Sequence, residues 1–359
     1  MNAQDDIAAP EALSDQVIRL REWGTDWVHM LPQPPLPDGV GGAPPDWLIG
    51  TADGCVVRLT DPNVLPRHAQ LAYRHQWWIR ALELGGARGV RGDGVPRQEL
   101  GLAPGTEISV GTTTLIAESP RSIALRDFCA RLLGWAPDRL PVVDRALRAI
   151  DLAVACRSPL ILRGEADLVP IAYALHRRTL GIEAPFVVCD PRRRTTEVAS
   201  VRFQANQESG MVAFAAATGG TLCMRNRLPT DFAELVLRLH EPDPRVQLII
   251  CSKRRDEGAR VCGPVPICVP PLSERASELP RIVEGYAREA IATLGPLRPW
   301  ESFTDDDLRW IATCAASSLE EIEKATLRLV ARNMSRTDTG AGRLLRMAPV
   351  SLTRWFRRR

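Results

Sequence analysis

The stretch from residue 158 to 176 constrains the fold most strongly, because it has the order apolar strand, glycine turn, helix. Leu160-Ile161-Leu162 suits a buried strand, and Gly164 allows the tight turn before the helix. A helix N-terminus behind a glycine turn is a frame in which proteins bind phosphate. The phosphate chemistry is missing from this frame, because Asp167 would repel an anion and Pro170 has no N–H to donate.

The composition is typical of a soluble globular chain, with 359 residues, 45% hydrophobic and 25% charged, and it has room for two or three domains. No apolar run approaches the roughly 20 residues that span a bilayer, and the acidic N-terminus lacks the regions of a signal peptide. The nine cysteines include no CxxC pair, which indicates reduced thiols and no metal site. We therefore expect a cytoplasmic protein without a membrane partner.

The first third of the chain divides into three segments by composition. Residues 1–45 are expected to form a short helix, from Ala12 to Met30, and a proline-rich linker. Residues 46–118 contain short apolar runs separated by turns, which is the pattern of an all-β sandwich. Residues 119–150 have apolar side chains at helical spacing, which predicts a helical connector.

The order of landmarks in residues 46–118 resembles the forkhead-associated (FHA) domain. The matching framework consists of Gly50-Thr51, Leu65-Pro66-Arg67-His68-Ala69, Trp78-Ile79, Asp93-Gly94 and the run from Leu102 to Gly111. Such domains hold phosphothreonine with an arginine, a serine and an asparagine, and those positions here carry Thr51, Leu65 and Arg88. The resemblance therefore implies a sandwich that does not bind phosphothreonine in the usual way, because the charge-assisted bonds are lost. It assigns His68 to bracing the loop, and we expect Arg67, Arg88 and Arg91 still to attract acidic surfaces.

Residues 151–295 alternate apolar strands with helices, which predicts a parallel sheet covered on both faces. The predicted strands are 159–163, 185–189, 221–224 and 246–251. The predicted helices are 168–179, 208–217, 230–240 and 279–294.

Landmarks in this region resemble, in the same order, the AAA+ domain of sigma-54-dependent transcription activators, the bacterial enhancer-binding proteins. They are Gly164-Glu165, Ala184-Pro185-Phe186, Gly219-Gly220-Thr221-Leu222, Pro270-Pro271-Leu272-Ser273-Glu274-Arg275 and the segment Phe303 to Val330. The resemblance implies a P-loop α/β fold with a parallel sheet, followed by an α-helical lid in residues 296–335.

The residues that this family uses for ATP hydrolysis are replaced at one position after another. Pro170 stands at the phosphate-binding lysine, and Arg225 and Asn226 stand at the two acids that hold the metal and orient water. Glu320 stands at the lid arginine, and the retained Arg275 is expected to be a structural ion-pair residue. The loop that grips sigma-54 is absent. These replacements imply a degenerate nucleotide site with no ATP hydrolysis, no cofactor and no metal.

Residues 338–359 resemble the Fis-type helix-turn-helix that ends the same activators. Pro349 suits the first position of a second helix, and Arg346 stands where the turn glycine is usual. An alternative is a basic amphipathic tail packed on the lid. The resemblance assigns DNA contact to Arg343, Arg346, Ser351, Arg354, Arg357 and Arg358.

The segments together predict a multi-domain chain: an FHA-like sandwich, an AAA+-like core with a lid, and a short helix-turn-helix. The first functional hypothesis is a non-catalytic transcriptional regulator that binds DNA through its C-terminal helices. The second is a protein-interaction adaptor or scaffold within a multiprotein assembly, and the third is a working ATPase that remodels sigma-54 polymerase. DNA and protein partners are expected, and the choice between a homo-oligomer and a hetero-assembly stays open.

Overall fold

The computed structural model describes residues 14–34, 46–83, 89–195, 205–225, 227–241, 245–253, 265–295 and 302–357. These residues divide into two compact units. Unit 1 contains the described residues up to Ala130 together with Trp135–Arg148. Unit 2 contains Arg131–Gly134 and the described residues from Ala149 onward.

Unit 1 is built on a β-sandwich of two sheets, as predicted. The sheets have the strand orders β2-β1-β11-β10-β7-β8 and β4-β3-β5-β6-β9. Neighbouring strands are antiparallel except β3 and β4, which are parallel. The strands are β1 (Arg19–Glu22), β2 (Val28–Met30), β3 (Trp47–Gly50), β4 (Val57–Arg58), β5 (Ala69–Arg74), β6 (Gln76–Ala81), β7 (Val90–Gly92), β8 (Val95–Arg97), β9 (Glu99–Gly101), β10 (Glu107–Val110) and β11 (Thr113–Glu118).

The predicted helix from Ala12 to Met30 is wrong, because its described part forms strands β1 and β2. Trp23 and Trp27 have helical spacing, but the chain turns between them at Gly24, whose φ is +71°. Strand β1 pairs with β11, and β2 extends the same sheet at its edge. The sandwich therefore includes strands that precede residue 46.

The core of the sandwich is packed around Trp77, which is fully enclosed between the two sheets. Its ring lies 5.1 Å from that of Trp47 and 5.3 Å from that of Tyr73, in the tilted and edge-on arrangements that aromatic rings prefer. Other buried members of this core are Leu20, Ile49, Leu71, Ile79, Ile108 and Leu115.

A buried arginine joins the sandwich to the connector, which forms two helices, α1 (Pro120–Leu133) and α2 (Leu140–Cys156), as predicted. Arg21 on β1 is fully buried, and it donates to Asp144 on α2 over 2.7 and 3.1 Å. The same guanidinium donates to Glu118 on β11 over 2.6 Å. The backbone N–H of Gly24 also donates to Asp144, over 2.7 Å. This network fixes the first half of α2 against the edge of the sandwich.

Unit 2 contains a parallel sheet with the strand order β14-β13-β15-β16-β12-β17. All four predicted strands are confirmed, and their side chains are almost entirely buried, as expected for a sheet covered on both faces. The two unpredicted strands, β14 and β17, lie at the sheet edges and are very short. The strands are β12 (Leu160–Arg163), β13 (Phe186–Cys189), β14 (Ala205–Gln207), β15 (Thr221–Arg225), β16 (Gln247–Ser252) and β17 (Ile267–Cys268).

The helices of the α/β core also lie where the sequence predicts them. They are α3 (Val169–Thr179), α4 (Gly210–Ala216), α5 (Phe232–Leu239) and α6 (Leu279–Leu294). His176 ties α3 to the sheet, because its two ring nitrogens lie 2.8 Å from Thr221 Oγ1 and 3.0 Å from the Ala184 carbonyl. Burial lowers the pKa of His176, so the ring is neutral in this position.

The lid consists of α7 (Asp305–Trp310), a π turn (Ile311–Ala315) and α8 (Leu319–Ser335). Both lid helices have capped starts, because Thr304 forms a capping box with Asp307 and the Ser318 side chain accepts from the Glu321 N–H. One face of α8 is buried, and it includes Leu319, Ile322 and Leu329. Two short helices end the described chain, α9 (Asp338–Leu344) and α10 (Pro349–Phe356).

A bilayer-spanning helix is not found within the described ranges, where every helix is too short or too polar. The same ranges contain no group of three or more His, Cys, Asp or Glu side chains placed to hold a metal ion.

Candidate functional site

The loop between β12 and α3 is the position at which a P-loop protein would hold phosphate. The Gly164 N–H donates to the Ser252 carbonyl over 3.3 Å. A side chain at Gly164 would lie 3.1 Å from Leu168 and 3.2 Å from the Val269 carbonyl, so the turn is packed tightly against its neighbours. Glu165 is exposed to solvent. The glycine is therefore explained by close packing within the loop.

The start of α3 offers few free N–H groups to an anion. The Asp167 carboxylate accepts from the Val169 N–H over 3.2 Å. Pro170, at the start of the helix, has no N–H. A helix N-terminus binds phosphate through exactly such N–H groups together with a favourable local charge. Here one donor is already used, one is absent, and a carboxylate occupies the approach.

An ion pair joins the two positions at which phosphate and metal would bind. Arg225, at the end of β15, donates to Asp167 over 2.6 Å. A second nitrogen of the same guanidinium lies 3.8 Å from Asp190, at the end of β13. The Arg225 side chain is 16% exposed. The Arg225 guanidinium would repel Mg²⁺ at this position, and its carboxylate partners would repel phosphate.

The other predicted members of this site lie apart from the ion pair or outside the described residues. Arg275 is buried, and it donates to Glu278 and to the Leu132 carbonyl, over 2.7 Å in each case. Glu320 forms an ion pair with Lys324 along α8. Asn226 lies outside the described residues. The structure thus brings together Asp167 and Arg225, whereas Arg275 and Glu320 make other contacts.

Asp190 is a member of the site that the sequence prediction missed. It directly follows strand β13, which pairs with β15 in parallel, so Asp190 and Arg225 end neighbouring strands at one edge of the sheet. An acid immediately after a buried strand is the signal that would have identified it.

Thiols on three adjacent strands lie beneath the ion pair. The Sγ atoms of Cys223 and Cys251 are 3.7 Å apart. The hydrogen bond between Cys251 and Cys223, together with burial, raises the pKa of Cys251, and burial raises the pKa of Cys189 to about 12. Cys189 and Cys251 are therefore protonated core residues near neutral pH, and they supply neither a nucleophile nor a metal ligand.

The FHA-like loop is braced by backbone packing and one histidine. The Thr51 N–H donates to the Leu65 carbonyl over 3.1 Å. The Leu65 N–H donates to Nδ1 of the fully buried His68 over 3.2 Å. Arg67 is exposed and forms an ion pair with Asp46 over 2.6 Å. Arg88 lies outside the described residues.

The two terminal helices form a tight helical hairpin. Arg346 adopts a φ of +50° in the turn, a conformation that usually favours glycine. The Met347 N–H donates to the Gly342 carbonyl over 2.8 Å. Thr353 on α10 donates to Asp338 on α9 over 2.7 Å. These contacts hold the two helices in a fixed relation.

The outer face of this hairpin is basic. All of the predicted DNA-contacting residues that the structure describes are exposed, and Arg358 lies outside the described residues. Within the described ranges, no ion pair joins these arginines to a carboxylate. The exposed residues are Arg343, Arg346, Ser351, Arg354 and Arg357.

The inner face of the hairpin packs on the lid. Phe356 is buried, and the Arg332 guanidinium lies 4.4 Å from the centre of its ring. The Trp355 ring lies 5.2 Å from that of Trp310 and 5.1 Å from the Arg328 guanidinium. The tail is therefore packed on the lid, as the alternative prediction stated, and it still presents a basic face to solvent.

No protein-family model matches the sequence, and no curated protein matches it. Among solved structures, the chain is similar to an FHA domain from a study of phosphothreonine-dependent FHA domain interactions. The identity is 22%, the match covers 29% of this chain and 96% of that one, and the TM-score is 0.24. It is similar to EmbR of Mycobacterium tuberculosis in complex with a low-affinity phosphopeptide, with 17% identity, covering 29% and 25% of the two chains, at a TM-score of 0.23.

The chain is also similar to NtrX of Brucella abortus in complex with ATP. The identity is 18%, the match covers 53% of this chain and 51% of NtrX, and the TM-score is 0.34. The matched region thus spans about half of NtrX. With such identities and TM-scores, the function of this chain has to be argued from its own residues.

Proposed function

We propose that this chain is a non-catalytic DNA-binding regulator, related to sigma-54 activators, that contacts DNA through helices α9 and α10. The observation that carries the proposal is the exposed basic face of these helices, where four described arginines have no acidic partner within the described ranges. Arginines placed on phosphates supply most of the affinity of such a helix pair, and small polar side chains such as Ser351 permit close approach to the bases. A single helix pair binds DNA weakly, so specific binding would need an oligomer or a protein partner.

The first test of this proposal replaces Arg354 on the exposed face of α10 by alanine. We expect the dissociation constant for a duplex selected from a random pool to rise roughly 3- to 10-fold. The salt slope, which is the magnitude of the slope of log affinity against log salt concentration, should fall by about 0.9 for the lost phosphate contact. Fluorescence anisotropy at several salt concentrations measures both quantities.

The matched control for that measurement is Arg309→Ala. Arg309 is an exposed arginine on lid helix α7, so this variant makes the same change in net charge. An equal loss in the two variants, or no binding of the wild-type chain at low salt, contradicts DNA binding by α10.

The second part of the proposal is that the chain hydrolyses no ATP. The Arg225–Asp167 ion pair and the missing donors at α3 support it, because phosphoryl transfer needs a bound metal and a phosphate cradle. We expect no magnesium-dependent phosphate release and no increase in melting temperature with Mg-ATP. Activity that changes in the Arg225→Ala variant would contradict this, whereas a contaminating ATPase would be equally active in both preparations.

A second candidate function is a protein-interaction adaptor. Edge strand β2 and the residue before it favour this function, because Trp27, Val28 and Met30 expose 73%, 40% and 59% of their surface at the edge of a sheet. Unpaired edge strands with apolar side chains are common places of protein association. The test looks for proteins that still bind the chain after it is truncated before residue 340. If the double substitution Trp27→Ser and Met30→Ser abolishes that binding, the result favours this function over DNA binding.

A further inference from the structure

The loop that follows strand β13 presents three consecutive arginines to solvent. Its described part comprises residues Asp190 to Thr195, and Arg192, Arg193 and Arg194 are all exposed. The loop lies at the carboxyl edge of the parallel sheet, next to the end of β15. The ion pair between Asp167 and Arg225 does not use these three side chains.

A single buried side chain fixes the backbone of this arginine loop. Asn206, on edge strand β14, is 5% exposed. Its side-chain oxygen accepts from the Asp190 N–H over 3.1 Å. Its side-chain nitrogen lies 3.4 Å from the Asp190 carbonyl, 3.1 Å from that of Arg193 and 3.3 Å from that of Arg194. One amide therefore contacts the backbone of Asp190, which precedes the arginine run, and of the last two arginines.

Further hydrogen bonds support the loop, including one from the Arg193 N–H to the Asp190 carbonyl over 3.0 Å. The Arg192 N–H donates to the Asp190 carboxylate over 3.1 Å, and the Thr195 N–H donates to Glu208 over 3.2 Å. Like charges on neighbouring residues repel each other, and these bonds hold the three arginines together despite that repulsion. A fixed arrangement of cations lowers the entropy cost of binding a charged ligand.

The excess of positive charge in this loop indicates that its ligand is a polyanion. Arg193 lies 3.6 Å from Asp190, and within the described ranges no ion pair neutralises Arg192 or Arg194. Apart from Pro191, the run from 190 to 195 contains no apolar side chain. Stable protein interfaces depend on buried aromatic or aliphatic anchors, and the described residues 190–195 offer none. Non-specific binding to the backbone of nucleic acid, by contrast, comes essentially from charge.

We propose that the Asn206-supported loop Arg192–Arg194 binds the phosphate backbone of double-stranded DNA, as a second contact beyond the terminal helices. Its biological role rests on the proposed DNA binding. Asn206 is a positioning residue in this account, because it contacts the loop backbone and not the ligand.

The test replaces the three arginines together, as Arg192→Gln, Arg193→Gln and Arg194→Gln, in the full chain. With a fluorescent 30-base-pair duplex as the probe, we expect the salt slope to fall by about 2–3, at about 0.9 per phosphate contact. The dissociation constant should rise roughly tenfold at moderate salt. The control is Arg238→Gln, Arg288→Gln and Arg309→Gln, which removes the same charge from exposed positions on α5, α6 and α7. An unchanged slope, or the same decrease in both triple variants, overturns the proposal.

The Asn206→Ala variant tests the positioning role separately. It keeps all three arginines, so the salt slope should stay near that of the wild type while the affinity falls about threefold through lost preorganisation. A fall in slope as large as that of the triple arginine variant would contradict this role.

The outcomes separate this inference from the proposed function. A loss of affinity in Arg354→Ala with none in the triple arginine variant overturns only the loop proposal. The reverse result overturns DNA binding by α10 and supports the loop. If the triple variant keeps its duplex affinity and loses binding to polyglutamate instead, the ligand is an acidic protein segment and the proposal is wrong.

Discussion

Replacing Asp144 with alanine is expected to lower the free energy of unfolding of unit 1 by about 3–5 kcal/mol, the usual cost of removing one partner from a buried ion pair. Asp144 accepts two bonds from the fully buried Arg21 and one from the Gly24 N–H. Without it, Glu118 is the one carboxylate among the described residues that stays at hydrogen-bond distance from the Arg21 guanidinium. Hydrogen exchange of peptides from the β5–β6 hairpin, measured in the full chain, reports this loss for unit 1 alone.

The control for Asp144→Ala is an acid that lies close by in the sequence and is exposed. Asp138 is 78% exposed and lies 3.7 Å from Arg139, so Asp138→Ala is expected to change stability by about 0.5 kcal/mol or less. If Asp144→Ala and Asp138→Ala show similar protection from hydrogen exchange, the buried network adds little to the stability of the sandwich.

Replacing Asp61 with asparagine is expected to destabilise unit 1 by about 2–4 kcal/mol at pH 7, because several hydrogen bonds to a charged group are weakened together. The Asp61 carboxylate accepts from the Asn63 N–H over 2.8 Å. It also accepts from the N–H groups of Thr112 and Thr113 over 2.6 and 3.0 Å. These bonds tie the loop after β4 to the turn between β10 and β11.

The same carboxylate gives this prediction a pH dependence. Burial alone would raise the pKa of Asp61, but the hydrogen bonds from Asn63 and Thr112 outweigh it and hold the pKa well below its usual range. A carboxylate with a lowered pKa stabilises the fold above its unfolded pKa, near 4, and this contribution is lost as the pH falls toward the folded pKa.

The stability difference between wild type and Asp61→Asn should therefore shrink below about pH 4. Hydrogen exchange at pH 7 and pH 3, corrected for the intrinsic exchange rates, measures it. The exposed Asp53, which forms an ion pair with Arg58, serves as the control through Asp53→Asn. A difference that stays constant between the two pH values would contradict the assignment.

The elements that sequence patterns predict well are those whose burial pattern is regular. The central strands of the parallel sheet are continuous apolar runs, and the lid helices begin with capping residues. Strand β1 has no such pattern, because Arg19, Arg21 and Glu22 surround one leucine and suggest an exposed segment. Arg21 is nevertheless buried, since its acidic partners come from residues 118 and 144. A partner about one hundred residues away gives no local signal.

The candidate nucleotide site also depends on contacts between residues that are distant in the sequence. The sequence identifies each replaced position, including Pro170 and Arg225, one at a time. The ion pair between Arg225 and Asp167 depends on the order of strands in the sheet, which places the end of β15 close to the loop after β12. A motif comparison gives the loss of each functional group, and only the three-dimensional arrangement gives the contact that replaces it.

The packing of Trp355 against Trp310 has a consequence for how this chain responds to a partner. Since α10 rests on α7 through these rings, and α9 is linked to α8 by the ion pair between Arg332 and Asp338, any tilt of the lid carries the basic helix with it. Under the proposed DNA binding, a protein that binds one lid orientation more tightly would turn the arginines of α10 toward or away from a DNA groove. By thermodynamic linkage, a DNA site that binds better to one orientation of α10 would raise the affinity for that same protein partner by an equal factor.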